Sequence, residues 1–325
     1  MGKERELNDY LKEVKRKVSL LIERNKMQEN EECLIAFRGE ARDYGLTKLM
    51  PSLFRDSTYV TKEKYLFELL SDYDVIHNEK KGNVEKAIEA QHYVAITRML
   101  DITFNVLVAF YFACISEHDE DAKIYIFCFP EHYSPHSKYI EKFYTSILDG
   151  KKIAYSKNFK VISHSYLNNR IKAQMGGFIF FQGQEFSPIS SVYYESIEIK
   201  AHDKKNMLKE LDLLFGINNA TIFPDKENRA NLVKEKFNQF KSRARDLSIE
   251  DEIYTYFERI QYESNIYKNK LGKDFDRIKY LRKLRKERED LLNYIDINFK
   301  CGSENDEKNK WISYINDSFK IMENL

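Results

Sequence analysis

The stretch from Val106 to Phe129 constrains the fold more than any other part of the chain. Val106 to Ser116 ("VLVAFYFACIS") is apolar almost all round, the pattern of a helix buried on every side. Seven residues on, Lys123 to Phe129 ("KIYIFCF") is β-branched and aromatic and is ended by Pro130, which marks a central strand. Around this pair the periodicity predicts further elements. Leu7, Leu11, Val14, Val18 and Leu21 repeat at helical spacing. Leu34 to Phe37, Gly176 to Gly183 and the run ending at Ile199 read as strands. Lys62 to Val75, Val84 to Tyr93 and Ser137 to Leu148 read as helices, with Tyr65, Phe67, Leu69 and Leu70 as core candidates in the first. Met207, Leu208, Leu211, Leu214 and Phe215 mark another helix, stopped by Gly216.

After about Ile249 the strand signals vanish, and long charged amphipathic helices follow. Phe275, Ile278, Leu281, Leu284, Leu291 and Ile295 form one stripe, and Trp311, Ile312, Ile315 and Phe319 another. The sequence therefore predicts three parts: an N-terminal helix over 1–30, an α+β body over 31–246, and an all-helical appendage over 247–325. The expected body is a bent mixed sheet flanked by helices.

Composition narrows the function classes. With 42% hydrophobic and 32% charged residues, a packed core is expected. The net charge of +1 gives no global pull toward nucleic acid or membrane, so any basic footprint is local. "KYLRKLRKER", Lys279 to Arg288, is such a footprint, but Glu287, Glu289 and Asp290 balance it, and a solvated helix face is the favoured reading. No apolar run is long enough to span a bilayer. Cys33, Cys114, Cys128 and Cys301 are scattered with no metal spacing, and the seven histidines form no HExxH or HxH pattern, so no metal is expected. The cysteines read as reduced, and the chain as cytoplasmic.

The candidate site begins at Phe37-Arg38-Gly39, where an arginine stands at the end of a strand. A guanidinium there is a hook for an anion, and glycine removes a side chain that would block the approach. Together with Pro51-Ser52-Leu53-Phe54-Arg55, with "AQHYVAITRMLDITFNVLVAFYFA" (Ala90 to Ala113), with "RIKAQMGGFIFF" (Arg170 to Phe181) and with "LLFGINNATIFPD" (Leu213 to Asp225), this motif resembles the FRG-domain family. Val94, Ile96 and Ile102 depart from that family's usual residues. More distantly, the layout is similar to ADP-ribosyltransferases: an arginine ending the first strand, a hydroxyl residue before an aromatic helix, and a polar residue near a later strand.

That resemblance implies a bent, ADP-ribosyltransferase-like fold and an enzyme that uses NAD as substrate, with a toxin or antiviral-defence role. Its acceptor would be a protein, a nucleic acid or a free nucleotide, and the helical tail would bind a partner protein. The implied catalytic set is Arg38, Thr103, Gln174 and Glu185. The implied nucleotide-binding set is Arg38, Gly39, Gln91, His92, Thr97, Arg98 and Asp101. Asp101 would hold Arg38 or Arg98 by a bidentate pair, and Tyr93, Phe110 or Tyr111 would stack on nicotinamide. Gln174 carries no charge and cannot act as a base, which leaves Glu185 as the nearest downstream acid. Thr103 reads equally well as the N-cap of the aromatic helix. The alternative implied by the same features is a non-catalytic nucleotide-sensing or protein-interaction module.

Overall fold

The structure is a computed structural model, and it describes residues 5–26, 32–76, 81–94, 96–151, 158–163, 168–239, 248–271, 276–299 and 305–324. The chain divides into two compact units, Met1–Phe240 and Lys241–Leu325. Cys301 and Phe275 lie outside the described residues.

In the first unit the strands are β1 (Cys33–Glu40), β2 (Met99–Thr103), β3 (Ala122–Pro130), β4 (Phe159–Ile162), β5 (Gly176–Phe181) and β6 (Tyr194–Ile199). The helices are α1 (Leu7–Lys26), α2 (Ser57–Asp72), α3 (Asn83–Tyr93), α4 (Val106–Cys114), α5 (Ser137–Leu148), α6 (Asn169–Gln174), α7 (Ala201–Phe215), α8 (Asn219–Ile222) and α9 (Lys226–Gln239). The strands form one sheet in the order β4-β5-β2-β1-β3-β6. Every pairing is antiparallel, which corrects the expected mixed sheet. β1 is flanked by two strands that both run against it, and α4 carries the chain from β2 to β3, two strands that point the same way on either side of β1.

Side-chain alternation along β1 sets the two faces of this half of the sheet. Cys33, Ile35 and Phe37 point into a core built with α1, α4 and α7, where Tyr10, Phe110, Ile124 and Leu211 are fully enclosed. Leu34 and Ala36 point into a second core rich in aromatics, among them Phe127, Phe129, Phe159 and Phe181. The other half of the sheet packs Met99, Phe178 and Phe180 against Phe67, Ile88 and Tyr144 of α2, α3 and α5. Tyr65, expected in that core, is exposed, and so are Leu214 and Phe215 at the end of α7. Gly216 ends α7 in the left-handed region at φ 63°, where the absence of Cβ removes the strain.

The central joint of the sheet is loose. β1 and β3 pair over their whole length, from Cys33↔Pro130 to Glu40↔Lys123. β1 and β2 share a single registered pair, Phe37↔Thr103. Beyond it the two strands part, and the carbonyl of Asp101 accepts from the Arg38 guanidinium (Nη1 to O 2.7 Å). A cavity opens in this gap.

The second unit contains α10 (Ile249–Leu271), α11 (Arg277–Asn298) and α12 (Asn305–Asn324). Ile253, Phe257, Leu284, Leu291, Ile295, Trp311, Ile315 and Phe319 form its core. Ile278, read as part of the buried stripe, is exposed. The basic run of α11 is tied internally at Lys283, which donates to Glu263 at 2.6 Å, and Glu287 accepts from Arg259 at 3.0 Å. No described helix is long and apolar enough to cross a membrane.

Candidate active site in the split of the sheet

The gap between β1 and β2 holds a cavity of about 410 Å³, within the range of small-molecule sites, about 300–1,000 Å³. From β1 come Arg38, Gly39 and Glu40, and from β2 come Asp101 and Thr103. Gln91 of α3, Arg170 and Gln174 of α6, and Arg55 from the segment before α2 complete the polar lining. Phe112 of α4 and Tyr44 supply aromatic surface. Residues separated by as many as 137 positions, Phe37 and Gln174, therefore meet around one space.

Arg38 is half-buried and held from two sides. Its Nε donates to Glu40 Oε1 at 3.0 Å, and its Nη1 to the Asp101 carbonyl. The expected bidentate pair with the Asp101 carboxylate is replaced by this arrangement. The carboxylate instead accepts from Gln91 Nε2 at 2.9 Å, while Gln91 Oε1 accepts from the Thr97 hydroxyl. Because Thr97 occupies the amide oxygen, the NH₂ end of Gln91 must face Asp101. Thr97 is thus buried behind the cavity as a positioning group, and it also takes the amide of Met99.

Thr103 donates to the Gln174 carbonyl at 2.7 Å and takes the amide of Asn105 at 3.1 Å, which fixes α6 against β2. It is not the cap of α4. Asn105 fills that role, its side chain accepting from the amide of Leu107. Gln174 donates to the Ile222 carbonyl at 3.3 Å. Of the stacking candidates, Phe110 and Tyr111 are buried in the core and Tyr93 is exposed. None of the three lines the cavity.

Gly39 lines the cavity, yet the reason for its glycine lies behind it. A Cβ at this position would stand 2.0 Å from the Ala109 carbonyl oxygen of α4. The missing side chain lets α4 press against β1 and does not clear a path for an anion, a correction to the expectation from the motif.

Arg98 also departs from its expected role. It is 1% exposed, and each nitrogen of its guanidinium donates to a protein acceptor. Nε donates to both oxygens of Glu63 at 2.9 and 3.0 Å, and Nη2 to Glu63 as well. Nη1 donates to the carbonyls of Phe181 and Gly183. Burial, the largest single influence, pulls its pKa down, but the charge and hydrogen bonds of Glu63 together with Tyr144 outweigh it, and the guanidinium is held above its ordinary value. Tyr144 donates to Glu63 at 2.7 Å, and burial first, then the Glu63 charge, holds its phenol well above the ordinary value. All three nitrogens of Arg98 are engaged inside the protein, and the residue does not line the cavity. The Glu185 carboxyl is exposed and not among the lining residues, and the side chain of His92 lies outside the described atoms.

Three charged lining residues, Glu40, Arg55 and Arg170, were missed by the sequence reading. Glu40 stands two positions after Arg38, so strand alternation alone puts both on one face. Arg55 and Arg170 were legible as parts of the motif blocks but not as members of a site. Arg55 is exposed, and its guanidinium has no hydrogen-bond or ion-pair partner among the described residues. Arg170 lies 4.5 Å from the ring centroid of Phe223. Three guanidiniums face two carboxylates in the lining, so the cavity suits a ligand that carries anionic charge.

Residues 34–122 match the FRG domain family. That span contains β1, the segment carrying Arg55, α3, β2 and α4, and so most of the cavity's polar lining. No curated protein matches the chain, and no solved structure does.

Proposed function

We propose that the cavity is a nucleotide site, that its substrate is NAD, and that the chain transfers the ADP-ribosyl group. The observation that carries this reading is the convergence of Arg38, Arg55 and Arg170 with the amides of Gln91 and Gln174 around one concave space. A pyrophosphate needs cationic forks and N–H donors from several directions, and guanidinium binds it with geometry as well as charge. Aromatic surface from Tyr44 and Phe112 supplies a face for a base or a pyridine ring. The resemblance of the Arg38, Thr103 and Gln174 layout to ADP-ribosyltransferases selects NAD among nucleotides.

Incubation of the full chain with nicotinamide-labelled NAD tests the proposal. Release of nicotinamide is expected, and Arg38→Ala should abolish it. Undiminished release by Arg38→Ala would remove Arg38 as the anion hook. One observation favours a second reading, a sensor that binds a nucleotide without consuming it: Glu185 is not among the lining residues. On that reading calorimetry would show saturable NAD binding with no nicotinamide released.

A further inference from the structure

Glu40 is 4% exposed and lines the cavity. Its two oxygens have different surroundings. Oε1 accepts from Arg38 Nε at 3.0 Å and from the Leu49 amide at 3.3 Å. Oε2 is buried and has no hydrogen-bond partner among the described residues. An orphaned buried carboxylate oxygen is costly, and native structures keep few of them. A carboxylate with one oxygen fixed by two donors and the other free is also well suited to act on a ligand, because its orientation is set before the ligand arrives. Lys123, its cross-strand neighbour, is engaged with Asp43 and does not neutralise it. Tyr125, opposite Arg38 in the register, is likewise buried, and its hydroxyl has no partner among the described residues. Burial first, then the Glu40 charge, holds that phenol above its ordinary value.

We propose that Glu40 is a catalytic carboxylate of this site, its Oε2 accepting a hydrogen bond from a ribose hydroxyl of the bound dinucleotide and holding negative charge beside the reacting carbon. This inference rests on the nucleotide reading above. The bond that breaks joins C1′ of the ribose to the pyridinium nitrogen. Its electron pair leaves with nicotinamide and neutralises that ring. The ribose is left as an oxocarbenium cation until an acceptor's lone pair, water in the simplest case, forms the new C1′–O bond and its proton passes to solvent. A fixed negative charge next to the ribose lowers the energy of that cation more than that of the ground state. Glu40 thus supplies from the first strand the acid that Glu185 does not bring to the cavity.

Glu40→Gln separates this role from a structural one. The amide oxygen can still accept from Arg38 and Leu49, so the fold and the anion hook are retained. NAD binding measured by calorimetry is expected to stay within about threefold of the unmodified chain, and the melting temperature to hold. Nicotinamide release is expected to fall by about 100-fold or more. Release by Glu40→Gln at more than a third of the normal rate would overturn the assignment and leave the nucleotide reading standing. Loss of NAD binding together with a lowered melting temperature would overturn it in favour of a structural tie to Leu49. If the unmodified chain binds NAD but releases no nicotinamide, the transfer reading falls and the Glu40 role with it. If it does not bind NAD, the nucleotide reading itself falls.

Discussion

Arg38 in β1 and Arg98 immediately before β2 each stand in a motif with an acidic residue close by, and the structure uses them in opposite ways. Arg98 is enclosed, and Glu63, Phe181 and Gly183 engage all three of its nitrogens. Its task is architectural: it ties α2 to the end of β5. Arg38 sits at the parting of β1 and β2, holds one carboxylate and one carbonyl, and faces a cavity with two further arginines. The difference teaches that an arginine's role follows from how fully its donors are satisfied and from what space remains beside it. Residue type and neighbouring motif do not distinguish the two.

This contrast can be broken most forcefully at Glu63. Glu63→Ala would leave a buried guanidinium without its counter-charge, and a loss of about 3–5 kcal/mol is expected. Denaturant unfolding would show it, and a loss below about 1 kcal/mol would mean that Arg98 is not the buried anchor described. Next comes Gly39→Ala. The new methyl would collide with the backbone of α4, which cannot yield as a flexible side chain does. A loss of about 2–3 kcal/mol is expected in the same measurement. An unchanged midpoint would restore the view that this glycine serves ligand approach.

A smaller effect, on affinity alone, is expected at Arg55. Because its guanidinium has no protein partner among the described residues, Arg55→Ala should leave unfolding unchanged. It should weaken NAD binding about tenfold, equivalent to about 1.4 kcal/mol. Equal affinity in a calorimetric titration would place Arg55 outside the ligand's reach. The smallest effect belongs to Glu185→Gln. This side chain is exposed and outside the cavity lining, so neither NAD affinity nor nicotinamide release should move. A large fall in release would return Glu185 to the site and undercut Glu40.

Much of the fold was legible where periodicity was strong. The aromatic helix, the "KIYIFCF" strand and the glycine-stopped α7 lie close to their sequence expectations, because burial on all sides or on one face leaves a clear pattern. β2 was not read as a strand. "MLDIT" is only five residues long, and Asp101 at its centre, which lines the gap, interrupts the apolar run. β4 was lost in a polar, Tyr- and Lys-rich stretch for a similar reason: four residues are too few to show alternation. The antiparallel order of the strands depends on long-range pairing that no local pattern encodes.

The candidate site was partly legible. Arg38, Gln91, Asp101, Thr103 and Gln174 were singled out from the sequence, and all five line one cavity. The gap itself could not be read, because it arises from two strands failing to pair beyond Phe37↔Thr103. Nor could the sequence tell that Thr97 acts through Gln91, or that the glycine faces a helix. Glu40 was within reach, since period-two spacing from Arg38 was available. It was passed over because the acid was sought downstream, near Gln174.

The most direct test is hydrogen exchange on the full chain with and without saturating NAD. Protection is expected in the amides of residues 37–41, 100–104 and 170–174, which frame the cavity, and none in residues 249–324 of the helical unit. Saturable NAD binding that leaves the three cavity segments unprotected, or the absence of any NAD binding, would contradict the convergence of these side chains on one nucleotide.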